Sequence, residues 1–388
     1  MNFQEIFETY NDYQIEMRRY FHAHPEVSGK EHETARRIRE ELTKYGIAWR
    51  PCGMETGTLA TIEGRGPGKC ILLRGDIDGL TVNEETGCEY ASQNAGVMHA
   101  CGHDCHISVL LTAARILQDH RDEFEGTVKL AFQPAEEIGT GALAMIEEGA
   151  LEGVDACFGM HVWSDIEAGQ VSLLPGPRFA GGDIFTIKVD GVSGHGAQPH
   201  QCVDATVAAA AIIGNLQTIV SRELSPVDTA VVTVGTMTSG TRWNVVSGHA
   251  ELGGTIRYFS MDTGDALPGM IERVASKTAE AFRATATLEH TRLVPPTIND
   301  PDMTALARGS VAKVMGEAAL IDCPPTMGGE DFSQFMQRVP GCYARFGVRN
   351  EAVGAIHPQH SCYYQVDEAA LVKAASVYTQ VALDFLAK

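Results

Sequence analysis

Three things are scarce in this chain, and each scarcity removes a class of function. Positive charge is the first: 30 Lys and Arg face 50 Asp and Glu, for a formal net charge of −20. Nucleic acid is therefore not an expected partner, because phosphate binding needs a basic surface. Anionic membrane surfaces are disfavoured for the same reason, and the acidic excess points to solubility rather than to a specific partner. Long apolar runs are the second, since no stretch approaches the roughly 18 residues of a membrane span. The opening Met-Asn-Phe-Gln-Glu has no basic segment leading into an apolar core, so no secretory leader is expected. Clustered cysteine is the third. The ten thiols (52, 70, 88, 101, 105, 157, 202, 323, 342, 362) lack the density of a disulfide scaffold and read as reduced side chains, so the expected location is cytoplasmic.

At 388 residues the chain has room for two or more domains with sizeable cores. Helical periodicity runs from Glu5 to Tyr45, broken at Pro25 and closed by Gly46. Buried-strand signatures at 70–73, 128–132 and 156–160 alternate with helical runs at 107–120 and 141–149. That alternation predicts an α/β catalytic domain with a mostly parallel central sheet flanked by helices. Such sheets gather ligands outside the carboxyl ends of their strands. Asp76, the Glu136-Glu137 pair and His161 each follow a predicted strand at that end.

From about residue 180 the pattern changes. A strand at 183–190, an Ala-rich helix at 203–222, strands at 229–237 and 246–258, a helix at 266–284 and a strand at 285–293 give the order β-α-β-β-α-β. This is the ferredoxin-like arrangement. Pro175-Gly176-Pro177 and Pro295-Pro296 bracket it as plausible hinges. The remaining segment supplies His360, whose partners lie before 180, so the middle part reads as an insertion. The expected division is 1–179 and 294–388 for the catalytic domain, with 180–293 as an inserted α+β lid or dimerisation domain. No repeat at solenoid periods is found.

The chemistry concentrates at Met98–His106, which reads Met-His-Ala-Cys-Gly-His-Asp-Cys-His. Cys101 and His103, held just before an apolar helical run, can aim a soft and a borderline donor at one divalent cation. Two residues do not close a metal site, and Glu136, Glu137, His161 and His360 are the candidate partners. In an extended segment neighbouring side chains point to opposite sides, so one carboxylate of the Glu136-Glu137 pair can bind metal while the other faces the reacting water. A nearby dication would relieve their repulsion. Asp76 is either a turn residue or a group that fixes the tautomer of a histidine ligand. His22 and His24 sit at a helix break and read as structural, while Cys105 and His106 lie one turn past the first pair and pack behind it. His357 competes with His360, and spacing does not separate them. A nucleophilic Cys101 is the alternative; it would need a histidine base and an oxyanion hole, whereas its acidic and imidazole company favours a metal.

With these motifs in view, the chain resembles the M20 metallopeptidase/amidohydrolase family, in the branch of hippurate hydrolases, N-acyl-amino-acid amidohydrolases and auxin-conjugate hydrolases. The resemblance spans nearly the whole length: Arg18–Glu26, Leu73–Leu80, Met98–His106, Pro134–Glu137 and Gly329–Phe332 all carry it. It implies Cys101, His103, Glu137, His161 and His360 as ligands of one or two divalent ions (Zn, Mn, Co or Ni), with Cys101 bridging where two bind. His360 is preferred to His357 because His360-Ser361 followed by Asp367-Glu368 keeps the family's spacing. It further implies Glu136 as general base, His195 as a stabiliser of the transition state, often from across a dimer, and Asn244 and Arg257 near the substrate carboxylate. Gly75, Gly79, Thr81, Gly196 and Cys362-Tyr363-Tyr364 depart from the family's usual residues, and they bear on pocket shape rather than on ligands or base.

The implied activity is metal-assisted hydrolysis of the amide of an N-acyl amino acid, by a homodimer or higher homo-oligomer formed through the inserted domain. A dipeptidase or carboxypeptidase of the same fold is the alternative within this chemistry. A catalytically silent metal-binding homologue is the alternative outside it, and the intact Glu136 speaks against that.

Overall fold

A computed structural model describes residues 3–388. The chain divides into two compact units. The first comprises the chain through Gly176 together with Ile298–Pro324 and Asp331–Lys388; the second comprises Pro177–Thr297 and Pro325–Glu330.

The first unit is built on an eight-stranded mixed sheet. Its strand order is Ala48–Pro51, Thr58–Glu63, Thr127–Gln133, Cys70–Asp76, Ala156–Glu167, Gly341–Arg349, Val171–Ser172, Leu320–Ile321. The four central strands, from Thr127–Gln133 to Gly341–Arg349, run parallel, whereas Ala48–Pro51 and Thr58–Glu63 pair antiparallel at one edge. Cys70–Asp76 is buried at every position, which is why its sequence shows an apolar run instead of alternation. The helix His103–Asp119 is buried nearly all round. It packs against that strand and against the helices Phe3–Ala23 and Leu371–Leu386. Phe3–Ala23 turns Ile6, Tyr10, Tyr13, Met17 and Phe21 inward at helical spacing. Glu368–Leu386 is long and apolar enough on composition to cross a membrane, contrary to the expectation that no such run exists. Here it is a core segment, with Leu371, Ala374, Ala375, Val377, Val381 and Ala382 buried.

The strand carrying His161 does not stop at 160 but continues to Glu167. Arg74 pairs with Gly159 in parallel register, so His161 stands level with Asp76, at the carboxyl edge of the neighbouring strand. The placement expected for His161 thus arises from register, not from a strand ending.

The second unit has the element order β-α-β-β-α-β. Its antiparallel sheet runs Ala230–Ser239, His249–Tyr258, Gly181–Asp190, Thr285–Val294. The helices Ala205–Thr218 and Met261–Ala281 cover one face; Ile212, Leu216, Leu267 and Ile271 meet Phe185, Ile187 and Val189 there. Ile184 and Val231, on the opposite face, are exposed. The segment Pro325–Glu330, assigned from sequence to the catalytic part, groups with this unit instead. The Ala180 amide donates to Thr326 O at 3.1 Å and Gly328 O at 3.0 Å, and Thr326 N–H to Arg178 O at 3.0 Å.

Candidate metal centre

Gly102 sets the geometry of the Cys-Gly-His turn. Its φ of +89° lies in the left-handed region, and a Cβ there would stand 2.5 Å from Val162 Cγ2 and 2.8 Å from the Tyr364 hydroxyl. Glycine is the residue that permits both the conformation and the close approach. The helix starting at His103 then carries His103 and His106 on one face, stacked with centroids 5.3 Å apart.

Cys101 lies at the centre of the donor set. Its Sγ is 3.4 Å from His161 Nε2 and 3.3 Å from His360 Nε2. Glu137 Oε1 lies 3.9 Å from His103 Nε2 and 3.7 Å from His360 Nε2. Donor atoms of Cys101, His103 and His161, of Cys101, Glu137 and His360, and of His103, Glu136 and Glu137 each fall within 4.8 Å of one another. His357 instead lies against the Tyr363 ring, with centroids 5.4 Å apart. The five residues implied as ligands therefore come together, with Glu136 at their edge.

These groups fit a divalent cation. His103 Nε2 and Glu137 Oε1 are buried with no hydrogen-bond partner. The other ring nitrogens are engaged: His103 Nδ1 donates to Asp78 O at 2.9 Å and Asp78 Oδ1 at 3.1 Å, and His161 Nδ1 to Val162 O at 2.6 Å. Each ring so tethered turns Nε2 toward the shared space. Bonds of roughly 2.0–2.3 Å at tetrahedral angles separate ligand atoms by about 3.3–3.8 Å, close to the spacing observed. The electrostatics agree. Burial, reinforced by Glu137, pushes the Cys101 thiol well up, and burial raises the Glu137 carboxyl. Burial opposes charge on His103, yet Asp76 and Asp78 hold its imidazole well above the usual value. Positive charge is what this cavity lacks. Several overlapping clusters of this kind can coordinate one or two divalent ions.

Glu136 and Glu137 do not lie in an extended segment with side chains opposed. They open a turn in which Gly139 N–H donates to Glu136 O at 2.8 Å, and both carboxylates reach His103. Ala135 precedes them at φ +53°, an uncommon conformation for a residue with a side chain. Glu31 holds it there, accepting from Ala135 N–H at 2.9 Å and from the Thr56 hydroxyl at 2.8 Å. His360 is likewise left-handed, at φ +68°, pinned by its N–H to Ala100 O at 2.7 Å. Local strain at both ends of the ligand set marks a functional constraint.

Asp76, contrary to expectation, does not fix the tautomer of a ligand histidine. It accepts from Arg74 Nη1 at 2.7 Å and from His106 Nδ1, and it stands 3.6 Å from His103 Nε2. His106 Nε2 in turn accepts the Val162 N–H at 2.9 Å. Asp76 thus fixes His106, which supports the backbone beside His161, while Asp78 fixes the tautomer of His103. Asp78 also accepts from Glu137 N–H at 3.1 Å and from Ser28 at 2.6 Å. Asp78→Ala is expected to weaken metal binding by about 10- to 100-fold, measured by competition with a chelator. Unchanged affinity would show that Asp78 has no part in holding the ligands.

His195, Asn244 and Arg257 belong to the second unit. His195 and Asn244 share a small ribbon, in which His195 pairs with Val245 and Gly196 N–H donates to Asn244 O at 2.9 Å. His195 Nδ1 accepts from Ala197 N–H at 3.0 Å, so a neutral ring carries its proton on Nε2. Arg257 lies on the main sheet opposite Gly182, with Nη1 donating to Ile256 O at 2.9 Å.

The acid–base pairs behind the metal loop set a pH window for stability. His22 donates to Asp104 at 2.7 Å; burial and Arg18 oppose its charge, but Asp104 raises it from 6.5 to about 10. Burial lowers His99 from 6.5 to about 4, whereas Glu84, against its own burial, is lowered from 4.5 to about 2 chiefly by the His22 bond. The His22 contribution is complete below 6.5 and fades as pH rises toward 10. Those of His99 and Glu84 are complete above 6.5 and 4.5, and fade as pH falls toward 4 and 2. Urea midpoints should therefore peak near pH 6.5 and fall on both sides. A profile still rising beyond pH 8 would contradict the His22 assignment.

A buried thiol, imidazoles and carboxylates gathered on an α/β sheet edge define a metal-dependent hydrolase. The chain belongs to peptidase family M20/M25/M40, whose sequence profile matches residues 72–384. It is 38% identical over 361 residues to the N-acetyl-L-cysteine deacetylase of Bacillus subtilis (strain 168), covering 93% of this chain and 85% of that protein. It is 37% identical over 379 residues to thermostable carboxypeptidase 1 of Saccharolobus solfataricus, covering 96% and 95%. The crystal structure of the Bacillus subtilis YXEP protein, a dinuclear metal-binding peptidase of the M20 family, superposes with a TM-score of 0.88. That match has 33% identity and covers 98% of this chain and 99% of the other.

Proposed function

We propose that this protein hydrolyses the amide bond of N-acyl amino acids. The observation that carries the reading is the approach of Glu136 and Glu137 to His103 at the rim of the donor set, which supplies a ligand and a second carboxylate side by side. A bound divalent cation supplies Lewis acidity, polarising a scissile carbonyl and lowering the pKa of water. Glu136 takes the proton of the attacking water and passes it to the leaving nitrogen. His195, with its proton on Nε2, donates to the developing oxyanion, and Asn244 and Arg257 bind the carboxylate of the amino acid. The same ribbon and sheet serve as lid and dimerisation surface of a cytoplasmic homo-oligomer. Asp76 is a positioning residue in this scheme, acting through His106.

Similarity to a deacetylase of N-acetyl-L-cysteine supports the acyl-amino-acid substrate class. Similarity to a carboxypeptidase favours a second reading, cleavage of a peptide bond by the same groups. Turnover of the metal-loaded enzyme on N-acetyl amino acids, hippurate and unblocked dipeptides separates them. Preference for blocked amino acids is the expected outcome; faster cleavage of dipeptides would establish the second reading, and no hydrolysis of any would reject both.

A further inference from the structure

A second group of metal-type donors lies away from the centre just described. His22 Nε2 is 3.1 Å from Glu84 Oε1, Cys88 Sγ is 3.8 Å from the same oxygen, and donor atoms of the three residues fall within 4.8 Å of one another. The 3.8 Å separation suits ligands sharing one small cation, and the 3.1 Å contact is a hydrogen bond whose place an ion would take. His22 Nδ1 donates to Asp104 Oδ2 at 2.7 Å, and Arg18 Nε holds that carboxylate at 3.0 Å. A histidine so tethered offers Nε2 as its donor, as carboxylate-backed imidazole ligands do. His22 and Glu84 side chains are buried, whereas Cys88 is partly exposed and gives solvent access to the group.

We propose that His22, Glu84 and Cys88 form a second cation site, selective for a thiophilic divalent ion of the zinc class. Its sulfur, nitrogen and oxygen donors suit zinc better than magnesium or calcium, which prefer oxygen alone. On binding, the cation replaces the proton that otherwise links His22 Nε2 to Glu84, and the Cys88 thiol gives up its proton as well. Both protons go to solvent.

The site is a brace for the segment 81–97, which has neither helix nor strand. One end of the segment is fastened near His22: Gln93 N–H donates to Ala23 O at 2.8 Å and the Asn94 amide to Pro25 O at 2.8 Å. The other end reaches the His360 loop, where Glu85 N–H donates to Cys362 O at 2.9 Å and the Tyr363 hydroxyl donates to Glu85. A cation on Glu84 and Cys88 would thus fix a loop that touches the chain two residues beyond a catalytic-centre ligand.

The test is zinc protection of cysteines in the metal-loaded enzyme, read by iodoacetamide labelling and peptide mapping. Zinc should slow alkylation of Cys88 by about tenfold, because only the free thiolate reacts, and magnesium should not. Cys88→Ser should hold about one equivalent fewer of zinc than wild type while retaining the ions at Cys101. Glu84→Gln, which keeps the thiol, should label Cys88 at a rate much less sensitive to zinc. Equal labelling of Cys88 with and without zinc, or equal zinc content in wild type and Cys88→Ser, would overturn the proposal and leave His22 as an imidazolium bridging two carboxylates.

Discussion

Glu136→Gln is expected to lower kcat by about a hundred- to ten-thousand-fold while leaving metal content unchanged. The substitution keeps the size and polarity of the side chain but removes its capacity to accept a proton. Because Glu136 shares a turn with Glu137, a larger change would disturb the ligand as well as the base. The amide variant is therefore the informative one. Metal analysis and turnover must be read together: a metal-loaded variant with near-normal turnover would remove Glu136 from the chemistry. Loss of metal together with turnover would instead place Glu136 among the ligands, a different role for the same carboxylate.

Arg74→Ala is expected to cost about 3–5 kcal/mol of stability, a large share of the roughly 5–15 kcal/mol that holds a typical domain folded. Arg74 is buried and donates to Asp76 at 2.7 Å, to Asp331 at 2.8 Å, to Gln133 at 2.8 Å and to Tyr343 at 3.1 Å. Gln133 Nε2 and Ala142 N–H also donate to Asp331, so the cluster joins three central strands to the segment after Glu330. Truncation removes the guanidinium facing two buried carboxylates, and the loss of that opposing charge, more than the lost contacts, produces the cost. A triple change, Arg74→Met with Asp76→Asn and Asp331→Asn, should recover part of it by removing those charges. Urea denaturation measures both variants. A loss below about 1 kcal/mol for Arg74→Ala would mean that water reaches the carboxylates and that the cluster is not dry.

The metal centre was legible where chemistry is written in adjacent letters. Cys101 and His103 stand two apart before a helix, Glu136 and Glu137 are neighbours, and His161 closes an apolar run. The Asp76-Asp78 pair was not resolvable in the same way. Both follow one strand at the same parity, and periodicity places them on one side. Their division of labour comes from the facing helix, where His106 meets Asp76 and His103, one turn away, meets Asp78. An Asp-x-Asp opposite a His-x-x-His is a signal that could have found His106, since both spacings repeat along one face. Glu31 carried no signal, because its partner Ala135 is 104 residues away. The element order of the second unit was readable from alternating strands and Ala-rich or amphipathic helices. The grouping of Pro325–Glu330 with it was not, because backbone bonds such as Ala180 N–H to Thr326 O depend on no side-chain type.

Anomalous diffraction from crystals of the metal-loaded protein tests the shared centre most directly. The expected result is a peak about 2.0–2.3 Å from Cys101 Sγ and from the Nε2 atoms of the histidines that surround it. Glu137 should also be bonded and Glu136 should not. An ion bound elsewhere in the first unit with Cys101 unligated, or Glu136 coordinated in place of Glu137, would contradict it.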